Sequence, residues 1–207
     1  MTVLWIATAN PKKRIELDRL LNDTGLEFRT MADLPEPLEI IEDGVTFADN
    51  AAIKASVLTS VVGEWAIGDD SGLSVDALDG RPGVLSARYA GPDADDAARN
   101  AKLLSELADA SSPASRRAHF TCNICLASPE GVLAQFEQHC HGWIADAPRG
   151  DGGFGYDPVF IPDDFSHLDP APTFAQLTAE QKDSISHRGL ALRDLTNFLR
   201  TSPIPTP

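Results

Sequence analysis

The segment TANPKK, residues 8–13, has the composition of an anion-binding site. Thr8, Asn10 and Lys13 surround a junction where a short apolar strand is followed by a helix, with Asn10 as the N-cap and Pro11 as the first helical residue. Backbone N–H groups and the positive end of the helix dipole favour phosphate there, and Lys13 adds a charge one turn into the helix. Because the segment lacks the glycines and the lysine-serine ending of a P-loop, a plain helix N-cap with two solvated lysines remains the alternative.

Two acidic clusters follow, EDG at residues 42–44 and GDDSG at residues 68–72. We expect Asp69 and Asp70 to come directly after a short buried strand over residues 65–68. Adjacent residues of an extended chain point to opposite faces, so the two carboxylates cannot both turn to one side. Such a pair therefore costs free energy unless a cation lies nearby. Mg²⁺ would offset the repulsion, because it binds a few carboxylates together with waters and phosphate oxygens. The alternative is that these residues bind no metal and simply lie in turns of an acidic protein. That alternative is strongest for Glu42.

The loop GGFGYDP, residues 152–158, has three glycines in four residues, yet also an aromatic ring, a tyrosine and a carboxylate. Phosphate is better served by the first segment. We therefore expect the glycines to let the backbone approach a flat ring on which Phe154 stacks. A purely structural loop is the alternative.

The segment ISHRG, residues 185–189, follows Lys182 closely, so that three potential cations, Lys182, His187 and Arg188, lie within seven residues. It is equally typical of a helix start with Ser186 as the cap, so both interpretations stay open. A Ser-His-Asp hydrolase is a poor fit, because Ser71 lacks the glycine-framed nucleophile elbow of that class.

The three cysteines are expected to be small buried apolar residues. Cys122 and Cys125 lie in a predicted strand, where positions three apart face opposite sides and do not chelate one metal easily. Cys140, between His139 and His141, has the same defect, so a zinc site is disfavoured.

Predicted strands and helices alternate along the chain, and one hairpin is also predicted. This pattern predicts an α/β fold with a mixed central sheet and flanking helices. A helix is predicted from the capping box at Thr46 and Asp49 to Gly63, and a last helix from the capping box at Thr178 and Gln181. The remaining predicted elements are strands over residues 3–8 and 156–162, a helix over residues 94–108 and a hairpin over residues 117–144.

Charge limits the classes of partner. The 207-residue chain has 17 basic and 31 acidic residues, a formal charge of −14, which repels nucleic acid polymers and anionic membranes. A polyanionic ligand therefore requires a local basic site, a metal or both. With no signal peptide or membrane span recognisable and only three cysteines, we expect a soluble, cytoplasmic protein.

Taken together, these segments resemble the inosine triphosphate pyrophosphatase family of bacterial type over residues 2–200. The matching blocks are TANPKKRIEL, GVTFADNAAIKA, DDSGLSVDALDGRPGVLSARYAG, GGFGYDPVF and SISHRGLAL. Their fixed order makes the match specific.

The resemblance implies a homodimeric, Mg²⁺-dependent enzyme that converts ITP, dITP and XTP to monophosphate and pyrophosphate. It implies a long mixed sheet and one domain over residues 1–200, with two lobes around a cleft, while residues 201–207 form a flexible proline-rich tail. By position, Glu42 and Asp70 would bind metal, Asp70 would accept a proton with the help of Asp69, and Lys54 would neutralise the triphosphate. The implied substrate contacts are Thr8, Ala9, Asn10, Pro11, Lys12, Lys13, Ser71, Phe154, Gly155, Tyr156, Asp157, Lys182, His187 and Arg188.

Two positions depart from the family pattern. Many bacterial relatives have glycine where this chain has Ala9 and Lys12, so a positive φ at either residue would be strained here.

Two other functions remain open: a related pyrophosphatase for pyrimidine or modified nucleotides, and a nucleotide-sensing module without catalysis.

Overall fold

The computed structural model describes residues 3–21 and 25–202. Its strands are β1 Val3–Ala7, β2 Glu27–Thr30, β3 Ala66–Val75, β4 Arg117–Ser128, β5 Gly131–Ile144 and β6 Phe160–Pro162. Its α-helices are α1 Pro11–Leu21, α2 Phe47–Val62, α3 Asp96–Glu106, α4 Ala179–Ile185 and α5 His187–Thr201.

The strands form one six-stranded sheet in the order β2-β1-β3-β4-β5-β6. Strand β1 pairs in parallel with β2 and β3, and β5 pairs antiparallel with β6, so the predicted mixed α/β sheet is confirmed. Strands β4 and β5 are neighbours joined by only Pro129 and Glu130, a link that requires an antiparallel hairpin, as predicted.

Helix starts follow the predicted capping residues. Asn10 Oδ1 accepts the backbone N–H of Lys12 at the start of α1. Thr46 and Asp49 form the predicted capping box of α2, which ends at Gly63 with a φ of 69°. These features depend on a few neighbouring residues, which is why the sequence predicts them.

Strand β3 is longer than predicted. It continues past Gly68 to Val75, so Asp69 and Asp70 lie inside the strand instead of after it. Gly68 is required where α2 crosses this strand, because a Cβ there would lie 2.1 Å from the carbonyl oxygen of Ala51.

Two other predicted elements are corrected. Strand β6 begins only at Phe160, because residues 156–159 form turns. The last helix is two helices, because Ser186 has an extended backbone, with φ −68° and ψ 150°, between α4 and α5.

Two compact units can be separated. The first comprises Met1–Asp70, Cys122–Gln138 and Arg188–Pro207. One of its apolar clusters contains Leu4, Ile67, Ile124 and Leu192, each at most 1% exposed. Two of the cysteines belong to this unit: both are buried and free, and Cys122 packs in this cluster while Cys125 packs in a separate one, as their spacing predicts.

The second unit comprises Ser71–Thr121 and His139–His187. Its core contains Leu73, Leu103, Phe160, Phe174 and Cys140.

No helix in the described part of the chain is long and apolar enough to cross a membrane. A single two-lobed domain over residues 1–200 stays a prediction, and most of the predicted tail lies outside the described residues.

Candidate active site

The segment from Thr8 to Lys13 joins β1 to α1. Thr8 is buried, and its Oγ1 accepts the backbone N–H of Asn10 at 3.1 Å. Asn10 Oδ1 lies 2.9 Å from the amide nitrogen of Lys12 and 3.3 Å from that of Lys13, so a phosphate here would share these donors with Asn10. Neither Ala9 nor Lys12 has a positive φ, because Asp79 is the one non-glycine residue in the described ranges that does. The backbone strain considered above for these two positions therefore does not arise.

The side chain of Asp69 lies at the centre of a buried ion network. Strand β1 pairs with β3 only as far as Gly68, so Asp69 lies just beyond the end of β1, near the start of α1. Its Oδ1 is 2.6 Å from Lys13 Nζ, and its Oδ2 is 2.6 Å from Arg188 Nε. Burial by itself raises the pKa of this carboxyl, but Arg188 and Lys13 outweigh burial and hold the pKa well below 3.8.

Arg188 is buried and contacts a second carboxylate. Its Nη1 lies 2.8 Å from Glu16 Oε2, and its own side chain is 4% exposed. The structure therefore places its guanidinium between Glu16 and Asp69, and the predicted contact with substrate stays a prediction. No sequence pattern indicates Glu16, although it lies one helical turn beyond Lys13 on α1.

Asp70 points away from this network into a second one. Its Oδ1 is 2.7 Å from Lys54 Nζ, and its Oδ2 accepts a bond from Asn50 Nδ2 at 3.3 Å. The same Lys54 Nζ lies 2.7 Å from Glu42 Oε2. Burial raises the pKa of Asp70, and Lys54 offsets only part of that effect.

Lys54 also has a perturbed pKa. Burial alone would lower it, but the carboxylates of Asp70 and Glu42 raise it, so the amine stays charged. Asn50 and Lys54 are four residues apart on one face of α2, a spacing that could have indicated Asn50. Three protein cations, Lys13, Lys54 and Arg188, thus offset the adjacent aspartates even without a metal.

In the second unit, the loop of residues 152–158 is organised by Asp157. Its Oδ2 accepts the backbone N–H of Phe154 at 2.8 Å and lies 2.7 Å from Lys182 Nζ. Lys182 Nζ is also 5.0 Å from the centre of the Phe154 ring. Gly153, at φ 69°, is required here because a Cβ would lie 2.0 Å from Asp157 Oδ2.

Other predicted contacts have structural partners in this unit. Tyr156 is buried, and its hydroxyl donates to the carbonyl of Ser86 at 2.9 Å, so it does not present a free hydroxyl to a ligand. His187 is buried and stacks on Phe120, with ring centroids 4.6 Å apart. Ser71 is half-buried in β3.

The predicted residues thus fall into two groups. The first unit brings together Glu42, Lys54, Asp69, Asp70, Lys13 and Arg188. The second brings together Phe154, Asp157 and Lys182. Ionisable groups with perturbed pKa values in a buried cluster are typical of active sites, which makes the first group the candidate catalytic centre.

Known proteins resemble the chain over almost its whole length. It is 47% identical over 199 residues to a dITP/XTP pyrophosphatase of Geobacter sulfurreducens, covering 96% of this chain and 97% of that protein. It is 45% identical over 199 residues to a dITP/XTP pyrophosphatase of Listeria monocytogenes, covering 96% and 95%.

Solved structures agree. A HAM1 protein from Coxiella burnetii, 38% identical, superposes with a TM-score of 0.82 and covers 97% of this chain and all of that one. A dITP/XTP pyrophosphatase from Mycobacterium abscessus, 44% identical, has a TM-score of 0.73 over 94% and 97% of the two chains. The model of the Ham1 family matches residues 4–198. On this evidence the chain belongs to the Ham1 family.

Proposed function

We propose that this protein hydrolyses non-standard purine nucleoside triphosphates, such as dITP, ITP and XTP, to the nucleoside monophosphate and pyrophosphate. It would thereby remove deaminated purines from the nucleotide pool. The relatives described above are named dITP/XTP pyrophosphatases and align with nearly the whole chain. The observation that carries the proposal is the buried cluster in which Lys13 lies 2.6 Å from Asp69 and Lys54 lies 2.7 Å from Asp70.

The charge of this cluster supports a requirement for metal. Three cations and four carboxylates leave it with a formal net charge of −1; its members are Lys13, Lys54, Arg188, Glu16, Glu42, Asp69 and Asp70. A triphosphate brings about four further negative charges, which such a cluster would repel. A bound divalent cation changes the formal charge of the cluster itself from −1 to +1, so the cluster then attracts the triphosphate.

Glu42 and Asp70 are the residues that we propose to hold this ion. Both are hard oxygen donors, and both contact the same Lys54 nitrogen, so they face a common position. Within the described ranges, no three or more His, Cys, Asp or Glu side chains are arranged to hold a metal by themselves. Mg²⁺ fits this limited set, because it takes one or two carboxylates and completes its shell with water and substrate phosphates. When bound, it would shield the charge of the phosphates.

The side chains then support hydrolysis at the α-phosphorus. The oxygen of a water molecule forms a bond to that phosphorus, and the bond from it to the oxygen bridging to the β-phosphorus breaks. Asp70 accepts the proton from the water, and pyrophosphate leaves with the electron pair of the broken bond. In the absence of a metal, burial raises the pKa of Asp70, a direction that favours acceptance of a proton. Lys13 and Lys54 offset the charge that develops on the leaving group.

We propose that the loop around Phe154 contacts the base. Its ring offers a stacking face, and Lys182 is a donor held 5.0 Å from that ring. Hypoxanthine and xanthine carry an oxygen at C6, where adenine carries an amino group. A donor fixed near C6 can bind that oxygen but faces another donor in adenine, and each such mismatch costs about 1–3 kcal/mol, or roughly 5- to 150-fold in discrimination.

A panel of nucleoside triphosphates tests this function. With Mg²⁺, we expect pyrophosphate release from dITP, ITP and XTP and far slower release from ATP. Orthophosphate as the product, or equal rates for ATP and ITP, would contradict the proposal. Faster turnover of a pyrimidine or methylated nucleotide would favour the related-substrate alternative, whereas nucleotide binding without any release would favour a sensing module.

The assembly and cellular location are part of the proposal. We expect a homodimer in the cytoplasm, with no binding to nucleic acid polymers or membranes at a formal charge of −14. Light scattering coupled to size-exclusion chromatography tests the first point, since a monomer has a mass of 22.2 kDa.

A further inference from the structure

Both main-chain groups of Gly155 are bound by one helix. Its N–H donates to Asp96 Oδ2 at 2.9 Å, and its carbonyl oxygen accepts a bond from Asn100 Nδ2 at 3.0 Å. The orientation of the Asn100 amide is fixed chemically, because only its nitrogen can donate to a carbonyl. Helix α3 thus holds the peptide units on both sides of Gly155, the residue that directly follows Phe154.

The spacing of the two side chains explains this arrangement. Asp96 and Asn100 are four residues apart, so they project from one face of α3. Asp96 is oriented by an ion pair with Arg99, and the helix is capped by Asp95, whose Oδ1 accepts the N–H of Ala98 at 2.7 Å. The acceptor, Asp96 Oδ2, and the donor, Asn100 Nδ2, therefore project from the same helix.

Gly155 needs such support because of its backbone. Its φ is 61°, in the left-handed region where glycine has the most conformational freedom. On its other side, the N–H of Phe154 is held by Asp157 at 2.8 Å. The backbone that carries the Phe154 ring is thus fixed from two directions, by Asp157 and by α3.

Asn100 has a feature that packing alone does not explain. It is 4% exposed, and no donor in the described part of the chain reaches its Oδ1. Burying an amide with one group unsatisfied costs free energy. An apolar residue would avoid that cost but could not hold the Gly155 carbonyl.

We propose that Asp96 and Asn100 are positioning residues that fix the Phe154 ring for stacking on the purine base. They act through Gly155 and touch neither the phosphates nor the reacting atoms. This inference rests on the proposed function, because it assigns the base to the Phe154 loop. It predicts that loosening the contact weakens recognition of the base and leaves that of the phosphates intact.

The variants Asp96→Ala and Asn100→Asp test the proposal. We expect each to raise KM for ITP about tenfold, the effect of one lost hydrogen bond, with kcat changed less than about threefold. Inhibition by inorganic tripolyphosphate, which has no base, should keep its wild-type constant. Asp96→Asn retains an acceptor oxygen for the Gly155 N–H and should restore a KM near wild type.

Asp95→Ala is the matched control. It removes the N-cap of the same helix without touching Gly155, so it reports any effect of a less stable α3. If Asp95→Ala raises KM as much as Asp96→Ala, or if KM and the tripolyphosphate constant shift together, the positioning role is wrong.

Hydrogen exchange at the Gly155 amide provides a readout that does not depend on turnover. We expect faster exchange in Asp96→Ala than in Asp95→Ala or wild type. Unchanged exchange would refute the contact itself, and faster exchange with an unchanged KM would refute its role in base recognition. If the wild-type protein does not turn over ITP, the proposed function fails, and this role fails with it.

Discussion

Replacing Asp69 by Asn tests whether this residue is primarily an electrostatic anchor. The substitution keeps the size of the side chain but removes the charge that binds Lys13 and Arg188. Asp69 is fully buried, with a side chain 0% exposed. Removing one partner of a buried ion pair costs about 3–5 kcal/mol, because it leaves a buried charge uncompensated. Arg188 retains Glu16 at 2.8 Å, so we expect the lower end, about 3 kcal/mol.

Thermal and urea unfolding, followed by circular dichroism in the presence of EDTA, measure this loss. In a domain of this size, 3 kcal/mol corresponds to a Tm lower by about 6–12 °C. Asp163→Asn is the matched control: Asp163 binds Arg117 at 2.7 Å, but their side chains are 40% and 37% exposed. Such a pair contributes about 0–1 kcal/mol. Equal losses in the two variants would refute the anchor interpretation.

The pH dependence of the loss follows from the direction of the pKa shift. The pKa of Asp69 is lowered in the folded state, so below 3.8 the unfolded chain binds more protons. The contribution of the carboxylate is therefore fully present above pH 3.8 and is lost as pH falls through the lowered pKa. We expect a constant difference between wild type and Asp69→Asn from about pH 5 to 8, which narrows only below about pH 4.

Three further outcomes are expected under the proposed function. Asp70→Asn should lower kcat by about 10²-fold or more while nucleotide binding stays measurable in calorimetry; near wild-type turnover would remove Asp70 as the proton acceptor. Phe154→Ala should raise KM for all purine triphosphates alike, since stacking contributes about 1–3 kcal/mol whatever the purine, and an unchanged KM would make the loop purely structural. Chelation of divalent cations should abolish pyrophosphate release, with recovery on addition of Mg²⁺; full activity in excess EDTA would exclude the metal requirement.

Features of the fold that depend on a few neighbouring residues could be predicted. The caps at Asn10 and Thr46, the end of α2 at Gly63 and the hairpin around Pro129 were all predicted, and each is confirmed. Strand lengths were predicted less well. β3 continues past Gly68 through two charged residues, which by themselves are not typical of a strand.

The candidate site was predicted only as a set of unconnected residues. Sequence patterns indicated Lys13, Asp69, Asp70 and Arg188, but not which of them meet. They also failed to indicate the supporting residues, Glu16 beside Arg188 and Asn100 beside Gly155. Such a residue has no local signature, because its role depends on a partner from another element.

The sequence by itself therefore determined the α/β class, the helix starts and the chemical character of each segment, because capping and residue type are local properties. The tertiary structure decided how the charges pair. Lys13 reaches Asp69 across 56 positions of the chain, and Arg188 reaches it across 119. Strand pairing places Asp69 just beyond the end of β1, and burial then determines which carboxylate has a lowered pKa and which, Asp70, has a raised one.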